Sequence, residues 1–248
     1  MAEGTVLSGE EIERYARHIV LPEIGGAGQQ RIKASRVCII GAGGLGSPVA
    51  LYLAAAGVGR IGIVDDDVVS LSNLQRQIIH ATDHISNKKT SSAKSTIARI
   101  NPHVEVIAHE ERLDDQNAKR IFEQYDIIVD GSDNFTTRYL VADQAEASRI
   151  PLVAAALGRF DGSLTVLAPY KDDNPRYRDI FPEAPPAGSV PTCAEAGVLG
   201  AVAGVMGTLQ ATEVIKLITQ IGTPLIGQIL LYDALECRFE KMRYKRKT

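Results

Sequence analysis

Arg36-Val37-Cys38-Ile39-Ile40-Gly41-Ala42-Gly43-Gly44-Leu45-Gly46-Ser47-Pro48 is the stretch that decides the fold. A short apolar run rich in β-branched residues, 36–40, ends in a glycine loop, and helical spacing resumes over 47–56 with Pro48 tolerated in the first turn. Gly41-x-Gly43-x-x-Gly46 between a strand and a helix is the signature of a nucleotide-binding Rossmann-type βαβ unit. Its glycines let backbone approach a phosphate and aim helix N-terminal amides at it. A tight strand-to-helix turn without a ligand would use the same glycines. Asp65 weighs against that, because it stands at the tip of the next strand, 60–64, where a carboxylate accepts hydrogen bonds from ribose hydroxyls.

Outward from this unit, residues 9–31 carry Ile12, Tyr15, Ile19 and Val20 at helical spacing, then break at Leu21-Pro22 and Gly25-Gly26. They read as a helix leading into a connector. On the other side, the pattern predicts helices over 89–100, 115–124 and 136–148, alternating with strands over 104–108, 126–130 and 151–156. Such alternation predicts a parallel sheet wrapped by helices on both faces. After Gly158 the pattern changes to a strand over 163–168 and a polar, proline-containing stretch over 170–191, too long for an ordinary connection. A helix over 195–218 and two strands, 227–232 and 237–244, complete the chain. The expected fold is α/β, a Rossmann-like, mostly parallel sheet with helices on both faces, extended by antiparallel C-terminal strands. A single domain over 1–248 is expected, with the nucleotide-binding part over 34–157.

The 248 residues, 45% hydrophobic and 23% charged, suffice for one large core or two modest ones. The net charge of -3 gives no reason to invoke nucleic acid, and the cluster Lys241, Arg243, Lys245, Arg246 and Lys247 reads as a solvated tail. Cys38, Cys193 and Cys237 are widely separated and form no CxxC pair, which suggests neither a disulfide framework nor a closed zinc site and fits a reducing, cytoplasmic setting. Residues 1–8 show no signal-peptide pattern. The one membrane-like stretch, 196–209, contains Gly200-x-x-x-Gly204 and is shorter than the roughly 20 apolar residues a span needs. A buried helix whose small residues permit close packing is expected, and no membrane partner.

By itself the glycine loop leaves a dinucleotide dehydrogenase and an ATP-using enzyme equally open. The segment Ser70-Leu71-Ser72-Asn73-Leu74-Gln75-Arg76-Gln77 places amide side chains and a guanidinium beyond Asp65, and Lys89 opens the next helix. Arg76 and Lys89 could neutralise a triphosphate, a need that a nicotinamide site lacks; as solvated charges they would do nothing. Asp130-Gly131-Ser132-Asp133-Asn134 falls at the end of a strand, on the carboxyl edge where open α/β sheets bind ligands. Its oxygens suit Mg²⁺, while a helix-capping role for Asp133 is the competing account.

Together these pieces resemble the E1-like adenylyltransferases of the MoeB/ThiF/HesA type, which activate ubiquitin-like sulfur-carrier proteins. The likeness runs from Arg14-Tyr15-x-Arg17 through the glycine loop, 70–77 and 130–134, to Pro191-Thr192-Cys193-Ala194-Glu195-Ala196-Gly197 and Leu231-Tyr232-Asp233-Ala234. It implies that Gly41, Gly43, Gly44, Asp65, Ser72, Asn73, Gln75, Arg76, Lys89, Asp133 and Asn134 surround Mg-ATP, with Asp133 on the metal. It also implies a homodimer in which Arg17 reaches the neighbouring subunit's triphosphate. The implied reaction is adenylylation of a carrier protein's C-terminal Gly-Gly carboxylate, as in molybdenum cofactor or thiamine biosynthesis.

Cys193, beside a helix start whose dipole favours thiolate, is either a covalent sulfur-transfer residue or a small residue packed at that start. Many members of the family carry two CxxC pairs that hold zinc, one in the long loop and one at the C-terminus. Here Arg176 and Asp179 stand where the first pair is expected, so no zinc is expected and nothing visible staples the loop. A separate sulfurtransferase is the expected sulfur donor. An NAD-dependent oxidoreductase and an inactive E1-like binding module are the competing functions.

Overall fold

The computed structural model describes residues 6–186 and 196–247. Eight strands form one sheet in the order β3-β2-β1-β4-β5-β6-β7-β8. The first five, β1 (Arg36–Ile40), β2 (Arg60–Val64), β3 (Glu105–His109), β4 (Ile127–Asp130) and β5 (Leu152–Leu157), run parallel. The others, β6 (Asp161–Leu167), β7 (Gln228–Asp233) and β8 (Arg238–Arg243), pair antiparallel. The expected parallel sheet with an antiparallel C-terminal extension is therefore what forms.

Period-two alternation along the central strands feeds two separate cores. In β1, Val37 and Ile39 join one cluster, while Cys38 and Ile40 join the other. The first core lies under α3 (Gly25–Ala34), α4 (Gly46–Ala56), α5 (Lys89–Ile100) and α9 (Gly200–Thr219). The second lies under α6 (Ala118–Phe122) and α7 (Phe135–Ala147), with Tyr177 from the short helix α8 (Tyr177–Ile180).

Several elements depart from expectation. The first helix divides at Tyr15 into α1 (Gly9–Arg14) and α2 (Ala16–Ile19), because Tyr15 is buried and its hydroxyl accepts from Asn101 Nδ2 at 2.8 Å. The expected connector after Leu21-Pro22 is instead α3. Its glycines are poor helix formers, but tertiary contacts override that cost. Gln29 donates to the Ala56 carbonyl at 2.8 Å, and Arg31 to the Thr219 carbonyl at 2.9 Å. α6 is shorter than the 115–124 expected, since Asp114 Oδ1 accepts from the backbone N–H of Gln116 and Asn117 and so holds a turn there.

The apolar stretch 196–209, expected to be too short for a membrane, runs into a helix, α9, that is 20 residues long, enough to span one by length and composition. Its polar groups show the packing it serves here. Gln210 Nε2 donates to the Asp130 carbonyl at 2.8 Å, and Glu213 accepts from the Leu225 N–H at 3.0 Å, both inside the first core's edge. Close approach comes from Gly200 and Gly207 rather than from the Gly200/Gly204 pair. A Cβ on Gly200 would meet the Gln75 carbonyl at 2.3 Å and one on Gly207 would meet Pro48 at 2.4 Å, whereas one on Gly204 meets nothing within 4 Å.

The long loop does have a staple. Arg176 pairs with Asp179 at 3.1 Å, and the two grip one residue of the C-terminal segment: Arg176 Nη2 donates to the Lys247 carbonyl, and the Lys247 N–H donates to Asp179 Oδ1, each at 3.2 Å. Arg246 donates to the Pro169 carbonyl at 3.2 Å, so the basic tail is anchored, not merely solvated. Cys237 is exposed in the β7–β8 turn with φ of 52°, outside the strand that was expected to hold it; Cys38 is fully buried.

Candidate nucleotide site

β1 lies between β2 and β4, so the strand order reverses there and a crevice opens at the carboxyl edge. A cavity of about 290 Å³ occupies that crevice. Its walls come from the ends of successive strands: the glycine loop after β1, Asp65 to Asp67 after β2, Glu111 to Leu113 after β3, and Gly131 to Asn134 after β4. Arg76, Gln77 and Lys89 close it from the side, and Arg138 rises from α7.

Two glycines of the loop exist for the fold. A Cβ on Gly46 would lie 1.9 Å from the Gly41 carbonyl, and Gly41 itself has φ of 89°. Gly43 is different: a Cβ there would meet only Gln77 Nε2, at 3.8 Å, in otherwise open cavity. The packing around the loop does not require this glycine.

Asp65 organises the loop. Its Oδ2 accepts from the Ala42 N–H at 2.8 Å and its Oδ1 from the Asp67 N–H at 2.9 Å. Burial pushes its carboxyl above the ordinary carboxylate range, against the pull of Lys89 and those two amides. Lys89, buried at the start of α5, stands 4.0 Å from Asp65 and 2.8 Å from Asp67. Gln77 Oε1 is buried in the wall without a hydrogen-bond partner among the described residues, and so is Arg138 Nε. Unpaired buried polar atoms of this kind are costly, and a polar ligand in the cavity would satisfy them. A bare loop, two orphaned polar groups and the cations Arg76, Lys89, Arg112 and Arg138 fit a nucleoside triphosphate.

Of the residues singled out from the sequence, Gly41, Gly43, Gly44, Asp65, Arg76, Lys89, Asp133 and Asn134 all line the cavity. Ser72, Asn73 and Gln75 do not. Ser72 lends its carbonyl to Arg76 Nη1 at 3.1 Å, Asn73 Oδ1 receives the Ser70 N–H at 3.4 Å, and Gln75 packs its carbonyl under Gly200. They shape the turn that presents Arg76. Arg17 is exposed on α2, away from the cavity walls. Cys193 lies outside the described residues. The helix cap proves to be Asn134, whose Oδ1 accepts from the Thr137 N–H at 2.9 Å, which leaves Asp133 exposed at the cavity rim.

Asp66, Asp67, Glu111, Arg112 and Arg138 line the cavity without having been singled out from the sequence, and Gln77 was quoted only within the 70–77 segment. The run Asp65-Asp66-Asp67 and the adjacent Gln77 were visible signals. Arg112 and Arg138 carried none, because only the parallel order of β2, β3 and β4 brings their segments to one edge.

A second cavity, about 680 Å³ and largely apolar, runs over β6, β7 and β8 and shares Arg138 and Leu157 with the first. Phe135, Tyr177, Phe181 and Met242 are among its walls.

Comparison with known proteins gives this arrangement its family. Residues 15–248 match the model of the ThiF family. The chain belongs to the ThiF family. Among curated ThiF relatives, the sulfur carrier protein adenylyltransferase of Thermus thermophilus is 47% identical over 96% of this chain and 89% of its own length. The SAMP-activating enzyme E1 of Haloferax volcanii is 46% identical over 96% of this chain and 87% of its own. A probable adenylyltransferase/sulfurtransferase of Mycobacterium tuberculosis, MoeZ, is 49% identical, and this chain spans 62% of that relative's length. Among solved structures, PaaA superposes with a TM-score of 0.84 at 26% identity, over 98% of this chain and 76% of that one. MccB of E. coli, solved with ATP, shares the fold with a TM-score of 0.76 at 22% identity, over 89% of this chain and 67% of that one.

Proposed function

We propose that this ThiF-family chain adenylylates the C-terminal glycine carboxylate of a ubiquitin-like sulfur-carrier protein. The observation that carries the reading is that the bare Gly43 edge, Gln77 with its unpaired Oε1, Arg76 and Lys89 all line one cavity. The names of the Thermus and Haloferax relatives, which the chain covers almost end to end, support the reaction class.

ATP lies with its ribose toward Asp65 and its phosphates along Gly43 and Gly44, where Arg76 and Lys89 hold the charge. The carrier tail lies in the apolar groove, which shares Arg138 and Leu157 with the nucleotide cavity. A carboxylate oxygen attacks the α-phosphorus; the new P–O bond forms as the bond to the bridging oxygen breaks, and pyrophosphate leaves with that electron pair. The carboxylate is already anionic at neutral pH, so no side chain need act as nucleophile. Positioning and cations aimed at the developing phosphate charge supply the acceleration.

Asp133 is the side chain that would hold Mg²⁺, which neutralises phosphate charge and takes most of its ligands from phosphates and water. Exposed apolar residues Ile12, Val20 and Leu21 around α2, with Tyr52 on α4, support the homodimer that would bring Arg17 to a partner's phosphates. A cytoplasmic setting and a separate sulfurtransferase belong to the same reading, as does the molybdenum cofactor or thiamine pathway.

The test is transfer of label. With α-labelled ATP and a carrier ending in Gly-Gly, labelled nucleotide appears on the carrier and is lost on mild hydrolysis. Tight NADH binding without ATP binding would instead establish the oxidoreductase reading.

A further inference from the structure

The two peptides flanking Ala42 are each clamped. The Ala42 N–H is held by Asp65, and the Ala42 carbonyl accepts from His80 Nε2 at 3.0 Å. A carbonyl can only accept, so His80 carries its proton on Nε2. Its Nδ1, 2.8 Å from Ser92 Oγ, then accepts the serine hydroxyl, and His84 Nδ1, also 2.8 Å from Ser92 Oγ, donates to that oxygen. This chain of hydrogen bonds ties α5 to the glycine loop. His80 and Ser92 are both buried, and burial holds the His80 imidazole below its ordinary range and therefore neutral, as the chain requires.

The peptide is planar and trans, so a residue-42 carbonyl turned to His80 sends the Gly43 N–H the opposite way. That N–H donates to no acceptor among the described residues, and Gly43 lines the cavity. We propose that His80, locked by Ser92 in its Nε2–H tautomer, is a positioning residue that turns the Gly43 N–H toward the nucleotide's phosphates. The inference rests on the ATP reading above. It concerns a residue that contacts loop backbone, not the reacting atoms, and pre-forms a donor that would otherwise have to be oriented as ATP binds.

Two conservative variants separate this role from simple packing. The amide nitrogen of glutamine reaches the position of Nε2, and that of asparagine stops near Nδ1. His80→Gln keeps ATP affinity within about 3-fold of wild type, His80→Asn loses on the order of 10-fold or more, and adenosine binding changes by less than about 2-fold in both. Calorimetry with ATP and adenosine, alongside thermal melts of both variants, reads this out. Equal losses in the two variants, or adenosine weakened as much as ATP, overturn the proposal. Imidazole ¹⁵N spectra of the nucleotide-free wild type provide a readout independent of ATP, and a proton found on His80 Nδ1 would also overturn it. A wild type that binds no ATP rejects the nucleotide reading and the role of His80 with it. Normal wild-type binding with no Gln/Asn difference rejects the role of His80 alone.

Discussion

The Lys89 ammonium touches Asp67 at 2.8 Å while standing 4.0 Å from Asp65. The buried cation is thus shared between a carboxylate that organises the loop and one that is 69% exposed. An arriving phosphate must compete with Asp67 for Lys89. Lys89→Ala weakens ATP binding by about 10- to 100-fold, because a charge-assisted contact is lost, whereas Asp67→Asn tightens it by roughly 2- to 5-fold. Isothermal titration of both variants decides; a loss in both would mean that Asp67 serves the ligand directly.

Gly43 and Gly46 have opposite reasons to be glycine. Gly46→Ala drives a Cβ into the Gly41 carbonyl and destabilises the fold by on the order of 3 kcal/mol or more. Gly43→Ala leaves Tm within about 2 °C of wild type and removes ATP binding, since its methyl group occupies the phosphate side of the loop. Thermal melts paired with nucleotide titration check both halves.

The loop staple has a defined pH dependence. Burial pushes the Asp179 carboxyl upward, but hydrogen bonds from the Arg176 side chain, the Arg176 N–H and the Lys247 N–H outweigh it and hold the group below its ordinary range. A lowered folded-state value means that the stabilisation is present above the unfolded value of about 3.9 and is lost as pH falls through the folded one. The Tm difference between wild type and Asp179→Asn is therefore constant near neutrality and shrinks toward zero in acid. A difference that persists unchanged at pH 2 would show that the charge of Asp179 is irrelevant.

Gln210 joins α9 to the strand that carries the Asp133 segment, donating to the carbonyls of Asp130 and Val153 at 2.8 and 3.3 Å. Gln210→Leu keeps the volume and removes both hydrogen bonds, costing roughly 1 to 3 kcal/mol. Denaturant unfolding measures the cost.

Local chemistry made most of the fold legible. β2 and α5 begin and end where hydrophobic period and capping place them, and the glycine loop sits where its spacing requires. α3 was hidden because its stability comes from Gln29 and Arg31 reaching residues far along the chain, which no local window contains. The same holds for the staple, whose partners lie about 70 residues apart. In the site, residues that follow a strand directly, such as Asp65 and Asp133, could be read from the sequence. Arg112 and Arg138 needed the sheet order, and His80 was concealed by a contact across 38 residues. Ser72 and Asn73 were read as polar groups near the ligand, and the turn they build beneath Arg76 shows only in the structure.

Carrier adenylylation is read out by ATP–pyrophosphate exchange. The assay pairs the wild type with Asp133→Ala and each candidate carrier with a form lacking its last glycine. Exchange that needs Mg-ATP and one intact carrier, and that vanishes in Asp133→Ala, is the expected result. Measurable ATP binding with no exchange for any carrier would contradict the account and leave an inactive ThiF-family module that docks its partner without activating it.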